Sequence, residues 1–271
     1  MAVTDDVQLA ALLAQHDNTG AAAYLRQLVD SGRRDAATRL RLVDVLIAAG
    51  RGGEAATELM GLADQYDAAG QAAKAIALLK RAEIVAADPF ESSRRLDTLV
   101  LRSVNGEPIA VAEQSAPGPP PQVPAAPMPF RRPLLAGLTG EELLALVRGL
   151  RLHAYQAGDI VFAEGEPGRS LFVVASGLVK VFVRDPTGHP VLLRELVEGS
   201  FFGEIALLTG APRSATVTAG AWTDLLELDR PTLDAIVTTH PRVGVVIRET
   251  ARERSGSDAE TRARAGDPTR S

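Results

Sequence analysis

The chain contains no cysteine, which excludes disulfides, thiolate zinc sites and cysteine nucleophiles together. Its four histidines, His16, His153, His189 and His240, are scattered, and no pair has the spacing of a dedicated metal site. No apolar run is long enough to cross a bilayer. The opening Met-Ala-Val-Thr-Asp-Asp is acidic where a secretory leader is basic, so a cytoplasmic protein is expected. A basic surplus is missing as well. The net charge is −5, and residues 1–102 hold 12 basic against 14 acidic residues, 103–133 two against two, 134–250 ten against 14, and 251–271 five against four. Nucleic-acid binders displace counterions with clustered Lys and Arg, so no direct nucleic-acid partner is expected. What remains is a 271-residue chain, 46% hydrophobic and 23% charged, the composition of a soluble globular protein and the length of two domains.

The first hundred residues read as helices. Ala and Leu dominate, and apolar positions recur at helical spacing, as in Leu42 and Leu46 or Leu40, Val43 and Ile47. The pattern predicts helices over about 6–15, 21–31, 36–49, 53–68, 71–86 and 91–102. Gly20, Gly32, Gly50 and Gly70 fall where helix C-termini should stop, and Asp88-Pro89 separates the last two helices. Ala48-Ala49-Gly50-Arg51-Gly52-Gly53-Glu54-Ala55 is echoed by Ala68-Ala69-Gly70-Gln71-Ala72-Ala73-Lys74-Ala75. This resembles tetratricopeptide (TPR) hairpins, although the two glycines lie 20 residues apart and the standard period is about 34 residues. A short irregular TPR-like stack over 1–102 is expected, with an ordinary alanine-rich bundle as the alternative.

Residues 103–133 hold nine prolines between Pro108 and Pro133, and read as a proline-rich linker. From 134 the texture changes. A helix is predicted from Glu141 to about Leu150, then strands at 160–162, 171–174, 178–183, 191–196, 215–218 and 225–228, with a turn at Asp185-Pro186-Thr187-Gly188. Many short strands with close turns argue for an antiparallel β-roll or jelly roll, closed by helices near 231–238 and 241–253. The fold class is therefore multidomain α and β, with a roll domain over 134–254 and a polar tail, expected to be disordered, over 255–271.

One stretch is not explained as a strand: Gly199-Ser200-Phe201-Phe202-Gly203-Glu204-Ile205-Ala206-Leu207-Leu208-Thr209-Gly210-Ala211-Pro212-Arg213-Ser214-Ala215-Thr216-Val217. It reads as a tight turn, one helical turn at 204–208, a loop and a strand. A helix N-terminus presents unpaired N–H groups to an anion. Gly203 lets a ligand approach the backbone, Arg213 can fork onto phosphate oxygens, and Ser214 adds a hydroxyl. Glu204 would repel a phosphate at short range and suits a sugar hydroxyl instead.

Together these residues resemble the phosphate-binding cassette of the cyclic nucleotide-binding domain family, of the cyclic AMP receptor protein and protein kinase A regulatory subunit type. The resemblance runs over about 134–250. Gly158-Asp159-Ile160-Val161, Glu164-Gly165-Glu166-Pro167-Gly168, Leu171-Phe172-Val173-Val174 and Ser176-Gly177-Leu178-Val179-Lys180-Val181 precede the cassette in the family's order. Phe202-Gly203-Glu204, Ala206-Leu207-Leu208 and Pro212-Arg213-Ser214-Ala215-Thr216 form it, and Leu228-Asp229-Arg230 follows. The resemblance implies that Glu204 binds the ribose 2′-hydroxyl and that Arg213 and Ser214 take the cyclic phosphate. It implies that the backbone of Gly203, Ile205 and Ala206 lines the pocket, with Val181 and Leu193 as apolar walls. Ala215 stands where cyclic-GMP-selective members often carry a hydroxyl residue, which favours cyclic AMP over cyclic GMP. Residues 244–251, following Val243, are the candidate lid over the base, and Trp222 is expected to pack in the roll.

No nucleophile is paired with a base, and no Gly-rich loop precedes Lys-Ser/Thr, so a non-enzymatic sensor or adaptor is expected. Its N-terminal helices would contact a protein partner. The alternatives are a scaffold whose roll binds no nucleotide, a kinase-regulatory-like inhibitor acting through Phe130-Arg131-Arg132-Pro133-Leu134, and a transcription regulator that needs a DNA-binding partner. With about 20 polar residues after the lid, no helix-turn-helix is expected.

Overall fold

The computed structural model describes residues 2–32, 35–104, 138–185, 187–249 and 251–252. The expected linker at 103–133, the Arg131-Arg132 segment and the tail at 255–271 lie almost wholly outside them. The described residues divide into two compact units, one running to Arg102, within the last turn of its final helix, and the other made up mainly of the residues from Leu138 onward.

The first unit consists of six helices: α1 (Ala2–Ala14), α2 (Asn18–Asp30), α3 (Ala36–Ala48), α4 (Gly52–Ala68), α5 (Ala72–Val85) and α6 (Phe90–Val104). Asp17 and Asp35 start α2 and α3 by accepting hydrogen bonds from the backbone N–H groups of Gly20 and Thr38, which satisfies donors that the helix itself leaves unpaired. Gly32, Gly50 and Gly70 stand at helix ends with positive φ, as the sequence suggested. Gly20 does not. It lies in the first turn of α2, where a Cβ would sit 2.2 Å from Asp17 Oδ2, because the capping carboxylate folds back over it. Leu25, Leu42, Leu46, Leu59, Leu62, Leu79 and Leu96 are fully buried, so the helices are held by aliphatic packing. Arg39 is drawn in with them: it reaches Glu58 at 2.8 Å, and Arg26 pairs with the same carboxylate.

The second unit opens with α7 (Gly140–Gly149), started by a reciprocal capping box between Thr139 and Glu142. Eight strands follow: β1 (Arg151–Tyr155), β2 (Ile160–Phe162), β3 (Ser170–Ser176), β4 (Leu178–Arg184), β5 (Pro190–Val197), β6 (Phe201–Phe202), β7 (Thr216–Ala219) and β8 (Thr223–Asp229). They form two antiparallel four-stranded sheets, in the orders β1-β8-β3-β6 and β2-β7-β4-β5. The helical turn α8 (Glu204–Thr209) interrupts them after β6, and α9 (Arg230–Thr239) and a helix over 241–249, α10, close the unit. In β4 the alternation predicted from Val179, Val181 and Val183 holds: Val179 and Val181 join Phe162, Phe172, Val174, Leu196, Phe202, Val217 and Leu225 in the core between the sheets. Trp222 is a correction. It is 55% exposed in the turn before β8, so it does not fill the roll.

Asp229 joins the roll to α9. Its carboxylate accepts from the Thr232 backbone N–H at 2.9 Å and pairs with Arg151 at 2.8 Å. Hydrogen bonds from the Thr232 side chain and backbone, with the Arg151 charge, hold its pKa below the ordinary value. A carboxyl depressed in the folded state stabilises the fold above its unfolded pKa of about 3.9, and that contribution is lost as pH falls through the folded value. Asp229→Ala should therefore cost about 1 kcal/mol at neutral pH. Asp229→Asn, which caps without titrating, should lose less stability than the parent between pH 5 and 3. Thermal melts of the three proteins, followed by Trp222 emission, measure both differences.

Candidate functional site

The cassette lies between β6 and β7. Gly203 precedes α8 with φ 82° and ψ 4°, a left-handed conformation that turns the chain sharply into the helix. The N–H groups of the first helical turn have no acceptor within the helix. Opposite them the chain from Ala211 returns to β7, stitched to the β2–β3 turn by two backbone bonds, Arg213 N–H to Glu166 O and Gly165 N–H to Arg213 O, both 2.8 Å.

Arg213 is the centre of this arrangement. It is 6% exposed, and its guanidinium lies 4.0 Å from the centroid of the Phe162 ring. Phe162, Phe172 and Phe202 form one aromatic group with centroids 5.4–6.0 Å apart, a flat apolar bed for a planar cation. Nη1 donates to Ser170 O at 2.6 Å and to Gly203 O at 3.2 Å, and Nη2 donates to Ser170 Oγ at 3.0 Å. Nε is buried without an acceptor. These partners are neutral oxygens. Burial pushes the guanidinium below its ordinary pKa, opposed at longer range by the charges of Glu227, Glu166 and Glu204. Two glycines make room for the side chain: a Cβ would lie 2.6 Å from Arg213 Nε at Gly168 and 2.6 Å from Nη1 at Gly203.

All nine residues singled out from the sequence, Val181, Leu193, Gly203, Glu204, Ile205, Ala206, Arg213, Ser214 and Ala215, line one cleft of about 120 Å³. Glu204 is 4% exposed at the start of α8, Ser214 is exposed at the mouth, and Val181 and Ala215 are buried in the wall. The cleft also holds Phe162, Arg194, Phe202 and Val217, which sequence reasoning missed. Phe202 stands beside Gly203 and was legible. Arg194 was not, because strand alternation puts it on the face opposite Leu193. A register shift between Val181 and Phe182 leaves Leu193 without a partner, so that Leu192 pairs with Phe182 and Arg194 with Val181. The bulge turns both Leu193 and Arg194 to the cleft. The candidate lid does not reach it: no described residue of 241–252 is in the lining. In α10 Val243 and Ile247 are buried and Val245 is exposed. Among the described residues no group of His, Asp or Glu has the geometry to hold a metal ion, and no helix is long and apolar enough to cross a membrane.

Two sheets closing over an arginine bed and a glycine-led helical turn define a class of binding domain. Residues 152–240 match the family model described as cyclic nucleotide-binding domain, and the C-terminal unit carries that domain. Among known proteins the chain is similar to a cyclic nucleotide-gated potassium channel of Mesorhizobium japonicum, 39% identical over 127 residues, covering 47% of this chain and 34% of the channel. It is also similar to a CRP-like cAMP-activated global transcriptional regulator of Mycobacterium tuberculosis, 30% identical over 113 residues, 42% of this chain and 50% of the regulator. Among solved structures the catabolite activator protein of Thermus thermophilus is 34% identical and covers 49% of this chain and 63% of its own, with a TM-score of 0.44. The chain thus spans a third to a half of the length of these curated relatives.

Proposed function

We propose that the protein is a non-enzymatic cyclic nucleotide sensor, binding its ligand in the roll and contacting a protein partner through the N-terminal helices, read as a TPR-like domain over 1–102. The observation that carries the reading is Arg213: a guanidinium buried in the cleft, bonded to neutral oxygens, with its Nε left without an acceptor. A buried cation gains most from an anion, and a cyclic phosphate against the first turn of α8 would supply one. Glu204, at the other end of the cassette from Arg213, would accept from the ribose hydroxyl. Ligand then favours one arrangement of the cassette and the closing helices over another, and the altered surface is what a partner would read. The resemblance, through Ala215, ranks cyclic AMP above cyclic GMP.

Calorimetric titration with each nucleotide tests the reading. Saturable binding should weaken in Glu204→Gln by about 10- to 150-fold, the worth of a hydrogen bond to a charged group. Absence of heat with both nucleotides, in protein whose melt shows it folded, would sink it.

A further inference from the structure

The inner face of the sheet β1-β8-β3-β6 carries a carboxylate outside the cleft lining. Arg151, Glu227, Phe172 and Phe202 form one rank across its four strands, since Arg151 pairs with Glu227, Glu227 with Phe172 and Phe172 with Phe202. Directly paired residues share a face, and Phe172 and Phe202 belong to the core between the sheets, so Glu227 is turned inward beside them. Its side chain is 19% exposed. His153 holds it: Nε2 lies 2.8 Å from Glu227 Oε2. His153 pairs with the core residue Leu225 and therefore stands on the same face. A carboxylate on the inner side of a roll is costly to desolvate and adds nothing to aliphatic packing.

Glu227 is one strand away from the seat of Arg213. The guanidinium lies 5.8 Å from the centroid of Phe172, the direct partner of Glu227. It also donates to Ser170 O and Oγ, and Ser170 pairs with Asp229, two residues along β8 from Glu227. Neighbouring strands are about 4.8 Å apart. The charged and titratable groups around Glu227 are Arg151, His153 and Tyr155 of β1, Asp229 of its own strand, and Arg213. Arg151 and Asp229 pair with each other at 2.8 Å. The field of Glu227 reaches groups on both sides. After burial it is the leading cause that raises the Tyr155 phenol, and it is the first of the charges that oppose the lowering of Arg213.

Resting on the cyclic nucleotide reading above, we propose that Glu227 competes with the ligand phosphate for Arg213, and that His153 is the positioning residue that holds it back. A phosphate arriving from the α8 side meets a guanidinium whose charge is already partly offset from the β8 side. At such range, in a poorly hydrated interior, one unit charge alters the attraction between two others many-fold. Because Glu227 is tied to His153, Arg213 stays on Ser170 and Gly203 and is open to the anion. The carboxylate weakens the hold on phosphate, and so favours release when the ligand becomes scarce.

The test is calorimetric titration of the full chain with cyclic AMP. Glu227→Gln keeps the shape and removes the charge, and should bind more tightly than the parent by about 3- to 30-fold. His153→Val keeps the charge and removes the tether. Glu227 can then turn to Arg213, and affinity should fall by a similar factor. The double variant should behave as Glu227→Gln does, since the tether has nothing left to hold. A packing defect would move both single variants in the same direction. Unchanged or weaker binding by folded Glu227→Gln, or unchanged or tighter binding by His153→Val, overturns the rivalry and leaves the sensor reading standing. No heat from the parent with cyclic AMP or cyclic GMP overturns both. His153 lies on an outer strand with its ring 39% exposed, so its variant decides even if Glu227→Gln unfolds the roll.

Discussion

Arg213→Ala should reduce cyclic nucleotide affinity by about 30-fold to several thousand-fold, the range for removing one partner of a buried, hydrogen-bonded charge pair, roughly 2–5 kcal/mol. The large end is favoured by the burial of the guanidinium at 6% exposure, where little water competes with the phosphate. The same substitution strips the donors from Ser170 O and Gly203 O and empties the space over Phe162. It should therefore also lower the melting temperature. Arg213→Lys separates the two effects. It retains a charge but cannot reach Ser170 and the ligand with one planar group, so it should recover part of the stability and little of the affinity. Calorimetry and thermal melts on the three proteins give both numbers. Affinity within threefold of the parent in Arg213→Ala would mean that the ligand is held elsewhere.

The second large effect is expected at Gly203, and Gly210 is its control. Both flank α8 with positive φ, 82° and 71°, so an alanine at either costs about 1–2 kcal/mol of backbone strain. At Gly210 nothing lies within 4 Å of the added Cβ, whereas at Gly203 it meets Arg213 Nη1 at 2.6 Å and Ser170 O at 3.0 Å. Overpacking of that kind adds roughly 1–3 kcal/mol and pushes the guanidinium off its seat. Gly203→Ala should thus be destabilised more than Gly210→Ala in the melt of the roll, and it alone should lose most nucleotide affinity in the same titrations. Equal affinities in the two variants would show that Arg213 need not occupy this position to bind.

The parts of the molecule legible in the sequence were those fixed by local pattern. Leu42 and Leu46 announced α3, the Val179-Val181-Val183 alternation announced β4, and the order Gly203-Glu204 to Arg213-Ser214 announced the cassette. What escaped depends on partners distant in the chain. Arg151–Tyr155 is short, with only Leu152 and Ala154 alternating against Arg151 and His153, and becomes a strand because β8 pairs with every one of its residues. The two-residue β6 exists only through Phe172 and Val173. Gly20 is the exception, since its partner Asp17 is three residues away: the local N-cap signal was overlooked in favour of the glycine. Arg213 was recognisable as an anion ligand, yet its anchorage on Ser170, 43 residues away, was not. Arg194 was hidden most thoroughly, since one extra residue in β5 inverts the parity on which facing is judged.

That extra residue bears on how the protein behaves in a crowded solution. β5 is the outer strand of its sheet and the longest in the roll, eight residues from Pro190 to Val197, with Val191, Leu192 and Val197 exposed. A straight, apolar outer strand offers a ladder on which a second chain can stack. Here the spacing of the ladder breaks at Leu193, Pro190 contributes no N–H at one end, and a foreign strand cannot stay in register along the full length. The irregularity that turns Leu193 to the cleft beside Arg194 also works against the stacking of a second chain on this edge.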